Sequence, residues 1–431
     1  MTSIFNRIKK GGLCAVLALG LFSACNKGID ELPETAPLVT TTRTLSDTLQ
    51  KTADDSLYYK IVVRAGLAST FNVRANTFTM FVPSNSAVRT FINVASGGAV
   101  PLNAPEATFI GFINNSLPAT SAASIVQYYT SPLSIPSASF GTTFPNLQYP
   151  SLLNPAPTLS ALLRLTLFPS QRNGNWVNNI PLTAVDLRAG NGIIHQMGAL
   201  VNPPSRYLID RINGDAELTY LKAAIIRADS GTTGTLQSAL GNIGANLTVF
   251  APTDLAFKTT LTGAIYQGLL PIVTAQLTAA YIAAGQTPTA AAAAAAINAP
   301  PLALSQATTL ASSPTVFSNP ALYGVLSAQT VKGIVVYHVL GVRAFTNNFP
   351  TTLTFYPTLL NSAISTHPGV GLIATFGTPF ATSAKVKGVG NATAANIIIN
   401  ATPLLPDPAG TSDQHFLNGV LHKIDQVLLP Q

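Results

Sequence analysis

The residues best suited to chemistry in this chain are its five histidines. Histidine titrates near neutral pH and can act as a general acid, a general base or a metal ligand. The histidines are scattered and lack the spacing of a zinc site: His195, His338, His367, His415 and His422. The sequence also contains no glycine-rich phosphate loop. We therefore expect no metal site and no cofactor.

Enzymatic catalysis would require arrangements that the sequence does not offer. No Gly-x-Ser-x-Gly phrase marks a hydrolase nucleophile. Glycoside hydrolysis needs two facing carboxylates. The acids of the second half of the chain stand mostly at expected helix starts and turns, where they cap helices: Asp210, Asp215, Glu217, Asp229, Asp254, Asp407, Asp413 and Asp425. The sequence favours a protein that is not an enzyme, with a hydrolase as the weaker alternative.

The N-terminus has the features of an export signal. A basic start is followed by a short apolar run, 13–22, and by small residues before Cys25. The run is too short to span a bilayer. The ending resembles a bacterial lipoprotein signal, in which the cysteine thiol is acylated. We expect a signal peptide at 1–24, a lipid on Cys25 and a flexible tether at 25–44. Ordinary secretory cleavage with a free thiol is the alternative.

Composition, charge and the export signal limit which partners and which cellular location the sequence predicts. With 9% charged and 47% apolar residues, the chain is expected to fold rather than stay disordered. Removal of Arg7, Lys9 and Lys10 with the signal lowers the formal charge from +7 to +4. That spread-out charge predicts no nucleic-acid partner. The lipid makes the membrane a partner, and Asn26 is compatible with the outer membrane of a Gram-negative bacterium. The face of that membrane, including the cell surface, and the oligomeric state stay open.

One sequence phrase that joins a strand to a helix occurs twice. Residues 78–88, FTMFVPSNSAV, and 247–257, LTVFAPTDLAF, share a β-type run, a proline and a hydroxyl residue. Proline ends the strand because it cannot donate to the ladder. Ser84 and Thr253 are expected to cap the following helices. Asp254 would place a negative charge in the first helical turn.

A second phrase is also repeated, as NGIIHQM at 191–197 and NGVLHKI at 418–424. Asn-Gly before an alternating run is a strong hairpin signal. Repeats this far apart predict two similar domains rather than a solenoid. The equivalent residues are expected to be structural, with the histidines half-buried in the strands: Asn191, Gly192 and His195 in the first copy, and Asn418, Gly419 and His422 in the second.

Three motifs of the second half resemble a fasciclin domain. They are the strand-to-helix corner at 247–257, the dipeptide Tyr337-His338 and the hairpin sequence at 418–424. The first copy departs from that pattern at the dipeptide, where Tyr128-Tyr129 replaces Tyr-His. The resemblance implies an α+β fold of two tandem fasciclin-like domains. Each would be a twisted two-sheet β-wedge of about seven strands with several packed helices.

The resemblance places the first domain at 45–204 and the second at 205–431. The second carries an alanine-rich insertion around 262–325. Its run of alanines at 290–296 predicts a short helix that ends before Pro300, because alanine favours helices and proline interrupts them. A partly ordered surface segment is the alternative.

The dipeptides are the candidate binding residues. In animal relatives the Tyr-His dipeptide is tied to receptor contact, so the resemblance implies a binding role for Tyr337 and His338, and by position for Tyr128 and Tyr129. The alternative is that they pack in the core, since valines flank the second dipeptide. A hydrogen bond between Asp254 and His338 is a further hypothesis.

Fasciclin domains are mostly adhesion and binding modules without a shared chemistry. The resemblance therefore implies non-catalytic binding of a surface protein or polysaccharide by an envelope lipoprotein. The alternative is an accessory glycan-binding subunit of an outer-membrane nutrient-uptake system.

Overall fold

The structure is a computed structural model that describes residues 43–232, 234–402 and 410–431. Arg43–Gln431 pack as one compact unit. The predicted signal, tether and lipidated Cys25 lie outside the described residues. Among the residues that are described, no helix is long and apolar enough to cross a bilayer.

The fold is α+β, as predicted. We refer to residues 43–204 as the first half and to 205–431 as the second half; the exact division between two domains remains a prediction. The helices of the first half are α1 Leu45–Lys51, α2 Ser56–Arg64, α3 Asn85–Ala95, α4 Glu106–Asn115 and α5 Ala119–Tyr128. Those of the second half are α6 Leu208–Gly214, α7 Thr219–Ala228, α8 Thr235–Leu240, α9 Asp254–Ala283, α10 Pro288–Leu310 and α11 Ala328–Tyr337.

The strands are shorter than the helices. The first half contains β1 Phe78–Pro83, β2 Thr130–Ser131, β3 Tyr149–Pro150, β4 Thr166–Leu167, β5 Pro169–Gln171, β6 Asn175–Val177, β7 Ile180–Ala189 and β8 Gly192–Met197. The second half contains β9 Leu247–Pro252, β10 Val339–Leu340, β11 Thr354–Tyr356, β12 Val370–Phe376, β13 Ala381–Lys387, β14 Ala395–Asn396, β15 Gln414–Phe416 and β16 Gly419–Ile424.

The two halves share one strand arrangement. In the first half the sheet order is β2-β1-β8-β7-β6-β5, and in the second it is β10-β9-β16-β15. The corner strand pairs in parallel with the hairpin strand in both halves, β1 with β8 and β9 with β16. β11-β12-β13-β14 form a separate sheet, and β3 pairs with β4. The repeated phrases therefore lie side by side, although more than a hundred residues separate them along the chain.

The strand-to-helix corners and the hairpins form as predicted. The Ser84 hydroxyl accepts a hydrogen bond from the Ala87 N–H, at 3.2 Å, where α3 begins. The Thr253 hydroxyl accepts from the Ala256 N–H, at 3.3 Å, where α9 begins. β7 pairs with β8 and β15 with β16, both antiparallel across tight turns. Every residue of β1 and β9 is buried, as is typical of strands covered on both faces.

The alanine-rich insertion corrects the sequence prediction. The helix does not end before Pro300 but continues as α10 to Leu310, with Pro300 and Pro301 inside it. Prolines normally interrupt a helix because they remove a donor and clash with the preceding turn. The alanines at every fourth position are fully buried, and α10 packs against the 30-residue α9. This packing stabilises the helix beyond its local propensity.

Candidate functional site

His195 of the first half is a buried structural residue rather than an accessible acid or base. Its Nε2 donates to the Ile135 carbonyl at 2.8 Å, and its Nδ1 accepts from the Asp186 N–H at 3.2 Å. The Asp186 carboxylate accepts from the Ser137 N–H at 2.9 Å and from the Ser137 hydroxyl. The hydroxyl is bonded to the aspartate and not to the histidine, so this is not the order of a nucleophile–histidine–aspartate triad.

His422 repeats this arrangement in the second half. Its Nε2 donates to the Ala344 carbonyl at 2.8 Å, and its Nδ1 accepts from the Asp413 N–H at 3.1 Å. Asp413 accepts from Thr346 N–H and hydroxyl, at 2.7 and 2.6 Å. The prediction that the two hairpin histidines are half-buried is wrong. Both are fully buried, because each hairpin strand pairs with a fully buried corner strand and each ring stacks on a phenylalanine of that strand.

The two aspartates are structural partners of the histidines that the sequence analysis did not assign. Asp186 and Asp413 both adopt left-handed backbone conformations, with φ of 59° and 52°, which non-glycine residues other than Asn and Asp rarely adopt. Each lies nine residues before its histidine. That repeated Asp-to-His spacing is the sequence signal that would have identified them.

The Asn-Gly turns have equivalent structural roles. Asn191 accepts from the Leu45 N–H at 2.7 Å, and Asn418 accepts from the Leu208 N–H at 3.0 Å. Each thereby holds the first helix of its half against the hairpin. A Cβ on Gly192 would lie 2.2 Å from the Phe78 carbonyl oxygen. Only glycine lets the parallel strand approach that closely.

Gly419 has the same constraint in the second half. A Cβ there would lie 2.5 Å from the Leu247 carbonyl oxygen and 2.5 Å from Leu208 Cδ1. Both glycines are therefore required by the close approach of the corner strand.

Tyr337 and His338 are buried and bonded within the second half. The Tyr337 hydroxyl donates to the Gly369 carbonyl at 2.8 Å and accepts from the Val389 N–H at 3.0 Å. His338 Nδ1 donates to the Ile334 carbonyl at 2.8 Å, and its Nε2 accepts from the Leu428 N–H at 2.8 Å. Burial lowers the pKa of His338 to about 4. The ring is therefore neutral at physiological pH.

The hydrogen bond proposed between Asp254 and His338 does not form. Asp254 accepts from the Thr219 hydroxyl at 2.6 Å and from the Tyr220 N–H at 3.0 Å, so it caps α7. The Asp254 carboxylate is bonded there because the junction of β9 and α9 lies against the N-terminus of α7. In the first half Asn85 takes the same place, accepting from the Leu57 N–H at 2.9 Å.

Tyr129 and Tyr128 are also buried, but only the Tyr129 hydroxyl is bonded solely within the first half. The Tyr129 hydroxyl donates to the Val201 carbonyl at 2.8 Å. The Tyr128 hydroxyl instead lies 3.2 Å from His415 Nδ1 of the second half and 3.0 Å from Asn178 Nδ2. Burial raises the pKa of the Tyr128 hydroxyl, so it keeps its proton.

These last contacts lie at an inter-domain cleft, a cavity of about 590 Å³ between the two halves. Its walls are α5, the connection 201–206 and β15. Its volume is within the usual range of small-molecule sites, roughly 300–1,000 Å³. The polar residues that line it are Thr120, Ser121, Ser124, Tyr128, Tyr129, Asn154, Asn178, Asn179, Asn202, Ser205, Arg206, Asp413 and His415.

A buried cation stands behind the cleft. Arg343 is only 5% exposed. Its guanidinium donates to His415 Nε2, to the Phe416 carbonyl at 3.1 Å and to the Leu417 carbonyl at 2.7 Å. Burial lowers the pKa of Arg343 to about 10, which leaves it charged at neutral pH. Burial, and then the Arg343 charge, hold the pKa of His415 well below its usual value.

The described residues contain no group of three or more His, Cys, Asp or Glu side chains placed to hold a metal ion. The arrangement around the cleft instead offers hydrogen-bond donors and acceptors from neutral side chains, with cationic groups at its rim and behind it. Such a lining is suited to recognising a polar ligand.

A model of the fasciclin domain matches residues 54–203. Residues 54–203 belong to the fasciclin domain family. This is the copy with the less typical sequence, in which Tyr128-Tyr129 replaces Tyr-His. The second half of the chain repeats the parallel strand pair, the Asp–His contact and the Asn-Gly turn of these residues.

Among solved structures, the chain is similar to a fasciclin domain pair from the insect cell adhesion molecule fasciclin I. The two are 12% identical, with a TM-score of 0.29, and the match covers 86% of this chain and 95% of that one. A search of curated proteins found no match.

Proposed function

We propose that this fasciclin protein is a non-catalytic binding protein of the cell envelope, anchored through a lipid on Cys25, which binds a surface protein or glycan. The proposal is supported mainly by a contrast between two sets of polar residues. The repeated histidines, aspartates and asparagines have partners inside their own halves. The lining of the inter-domain cleft, in contrast, includes polar residues that are exposed: Thr120, Ser121, Asn202, Ser205 and Arg206.

The dipeptide positions are a poor surface for adhesion in this chain. Tyr337 and His338 are at most 1% exposed, and both have two hydrogen-bond partners. A receptor contact there would first require these bonds to break. The cleft requires no such rearrangement, so we place ligand binding in the cleft.

A binding assay with a blocked cleft tests this placement. Ser124 is on α5 and lines the cleft, so Ser124→Trp should fill part of it. Ser86 is exposed on α3 and does not line the cleft, which makes Ser86→Trp the matched control. Purified full-length protein and both variants would be applied to glycan and matrix-protein arrays. Binding by the wild type and Ser86→Trp, but not by Ser124→Trp, is expected; equal binding by all three would reject the cleft.

Metabolic labelling with a fatty-acid analogue tests the lipid anchor. The wild-type chain should carry the label and partition with the outer membrane. Cys25→Ser should lose both properties. An unlabelled wild-type chain would contradict this part of the proposal without affecting the cleft.

The second candidate is an accessory glycan-binding subunit of an uptake system. The concave shape of the cleft supports this second candidate, because concave sites suit small soluble ligands. Purification after mild solubilisation distinguishes the two candidates. A transporter recovered in fixed ratio would favour uptake, and recovery of the protein by itself would favour adhesion.

A further inference from the structure

The orientation of Asn178 at the cleft is determined by its neighbours. Its side-chain oxygen accepts from the Phe168 N–H at 3.1 Å. The amide nitrogen must therefore point to the Tyr128 hydroxyl, to which it donates at 3.0 Å. Asn178 has a φ of 56° and is 2% exposed, so the surrounding structure holds it in place.

The protonation of His415 follows in the same way. Arginine has only donors, so the Arg343 guanidinium donates to His415 Nε2. The neutral ring then carries its single proton on Nδ1 and donates it to the Tyr128 hydroxyl, 3.2 Å away.

The Tyr128 oxygen consequently receives two hydrogen bonds and keeps its own proton. No described residue accepts that proton, since both hydrogen-bond partners of the hydroxyl are donors. Accepting two hydrogen bonds makes a hydroxyl a stronger donor through cooperativity. Tyr128 lines the cleft and is 1% exposed, so a ligand that reaches its hydroxyl would accept the proton that no described protein group takes.

The charges around the cleft favour an anionic acceptor. Arg343 has no carboxylate within salt-bridge distance among the described residues. Arg206 is exposed at the rim. Asp413 also lines the cleft, but both its oxygens already accept from Thr346. A carboxylate in the cleft would meet a polarised O–H and the Arg206 guanidinium, with the buried charge of Arg343 behind them.

The rest of the lining combines apolar residues with hydroxyl and amide side chains, which form hydrogen bonds with sugar hydroxyls: Thr120, Ser121, Ser124, Asn154, Asn202 and Ser205. We infer that the inter-domain cleft binds a carboxylate-bearing saccharide, with the Tyr128 hydroxyl and the Arg206 guanidinium contacting the carboxylate. This inference rests on the proposed binding function and names its ligand class.

Calorimetric titration of the full-length protein with trigalacturonate tests the inference. The methyl ester of the same trisaccharide is the matched ligand, because it keeps the sugar hydroxyls and replaces each carboxylate by a neutral ester. The acid should bind at least tenfold more tightly than the ester. A hydrogen bond to a charged group contributes about 1.5–3 kcal/mol, so Tyr128→Phe should weaken binding of the acid roughly 10- to 100-fold.

Two further variants make the test specific. Tyr149→Phe removes a tyrosine hydroxyl that donates to the Ser139 carbonyl at 2.9 Å, from a residue that does not line the cleft, so affinity for the acid should stay unchanged. Arg206→Gln should weaken binding several-fold and reduce its dependence on salt. Circular dichroism of each variant verifies folding before titration.

The inference is overturned if acid and ester bind equally, if Tyr128→Phe binds the acid like the wild type, or if neither sugar binds the wild type. These results differ from failure of the proposed function. A chain that binds neutral glycans or proteins through the cleft, but not uronates, would retain that function and lose only the ligand class.

Discussion

Tyr128 and Tyr337 end equivalent helices in the two halves, yet their hydroxyl groups serve different structures. Tyr337 donates to Gly369 and accepts from Val389, both within its own half. Tyr128 bonds Asn178 and His415, and thereby joins the halves. Both rings are buried in the same position, but their hydroxyl groups have different hydrogen-bond partners. In the first half, these partners lie at the cleft.

The neighbouring positions differ in a complementary way. His338 accepts a hydrogen bond from the N–H of Leu428, whereas Tyr129 donates to the carbonyl of Val201. Leu428 and Val201 both lie six residues after the hairpin histidine of their half. The contact is retained, and its hydrogen-bond polarity is reversed. The two halves of this duplicated fold therefore keep the same contact between elements, while the residue that donates the hydrogen bond differs.

Replacing the hairpin glycine should give the largest effect. Gly419→Ala places a Cβ 2.5 Å from the Leu247 carbonyl oxygen, and we expect a loss of about 3 kcal/mol or more in unfolding free energy. Gly192→Ala should be similarly severe. Gly333→Ala, with no atom within 4 Å of its added Cβ, should be neutral or stabilising by up to about 1 kcal/mol. Urea denaturation measures all three, and a mild Gly419→Ala would contradict the equivalence of the two strand pairs.

Acid should destabilise the second half through His338. Its pKa is about 4 in the folded protein against 6.5 ordinarily, so the unfolded chain binds the proton more readily. The stabilising contribution is complete above pH 6.5 and is lost as the pH falls towards 4, by roughly 3 kcal/mol at 1.36 kcal/mol per pKa unit.

Unfolding free energies at pH 7 and pH 4.5 measure this effect, with His338→Gln as the variant that cannot titrate. Three other histidines, His195, His415 and His422, have lowered pKa values too, so the variant should retain a reduced dependence of the unfolding free energy on pH. An unchanged slope would exclude His338 as a source of acid sensitivity.

Truncating His338 at neutral pH should cost less than the glycine change. His338→Ala removes a buried ring and leaves the Leu428 N–H without its acceptor, which predicts a loss of about 2 kcal/mol. Tyr129→Phe removes one hydroxyl and should cost about 1 kcal/mol. Thermal melts that rank the two variants in the opposite order would show that the positions are not equivalent.

The smallest effect is expected at the corner. Asp254→Asn gives the second half the side chain that Asn85 provides in the first, where the amide donates to Ser56 at 2.9 Å. In the second half the Thr219 hydroxyl takes the place of the Ser56 hydroxyl. We therefore expect the unfolding free energy to change by less than about 0.5 kcal/mol. Asp254→Ala removes the cap of α7 and should cost about 1 kcal/mol. Equal losses would indicate that the charge, rather than the hydrogen bonds, matters.

The repeated phrases made much of the scaffold predictable. Ser84 and Thr253 cap the helices as expected, and the Asn-Gly turns form hairpins. Helix continuation through Pro300 was missed because burial of the alanine face outweighs local propensity. The Asp254–His338 bond was wrongly expected because sequence spacing does not show which helix end lies nearest to a side chain.

By itself, the sequence determined the duplicated plan: its local signals, a proline followed by a capping hydroxyl and an Asn-Gly turn, depend on neighbours only a few residues away. Only the tertiary structure decided the cleft, since Tyr128 and His415 meet across 287 positions of the chain. It also decided which nitrogen of His415 carries the proton. Arg343 donates to the Nε2 of His415, and Asn178 donates to the Tyr128 hydroxyl beside it. Hydrogen-bond polarity is a property of the assembled contacts, and no local pattern encodes it.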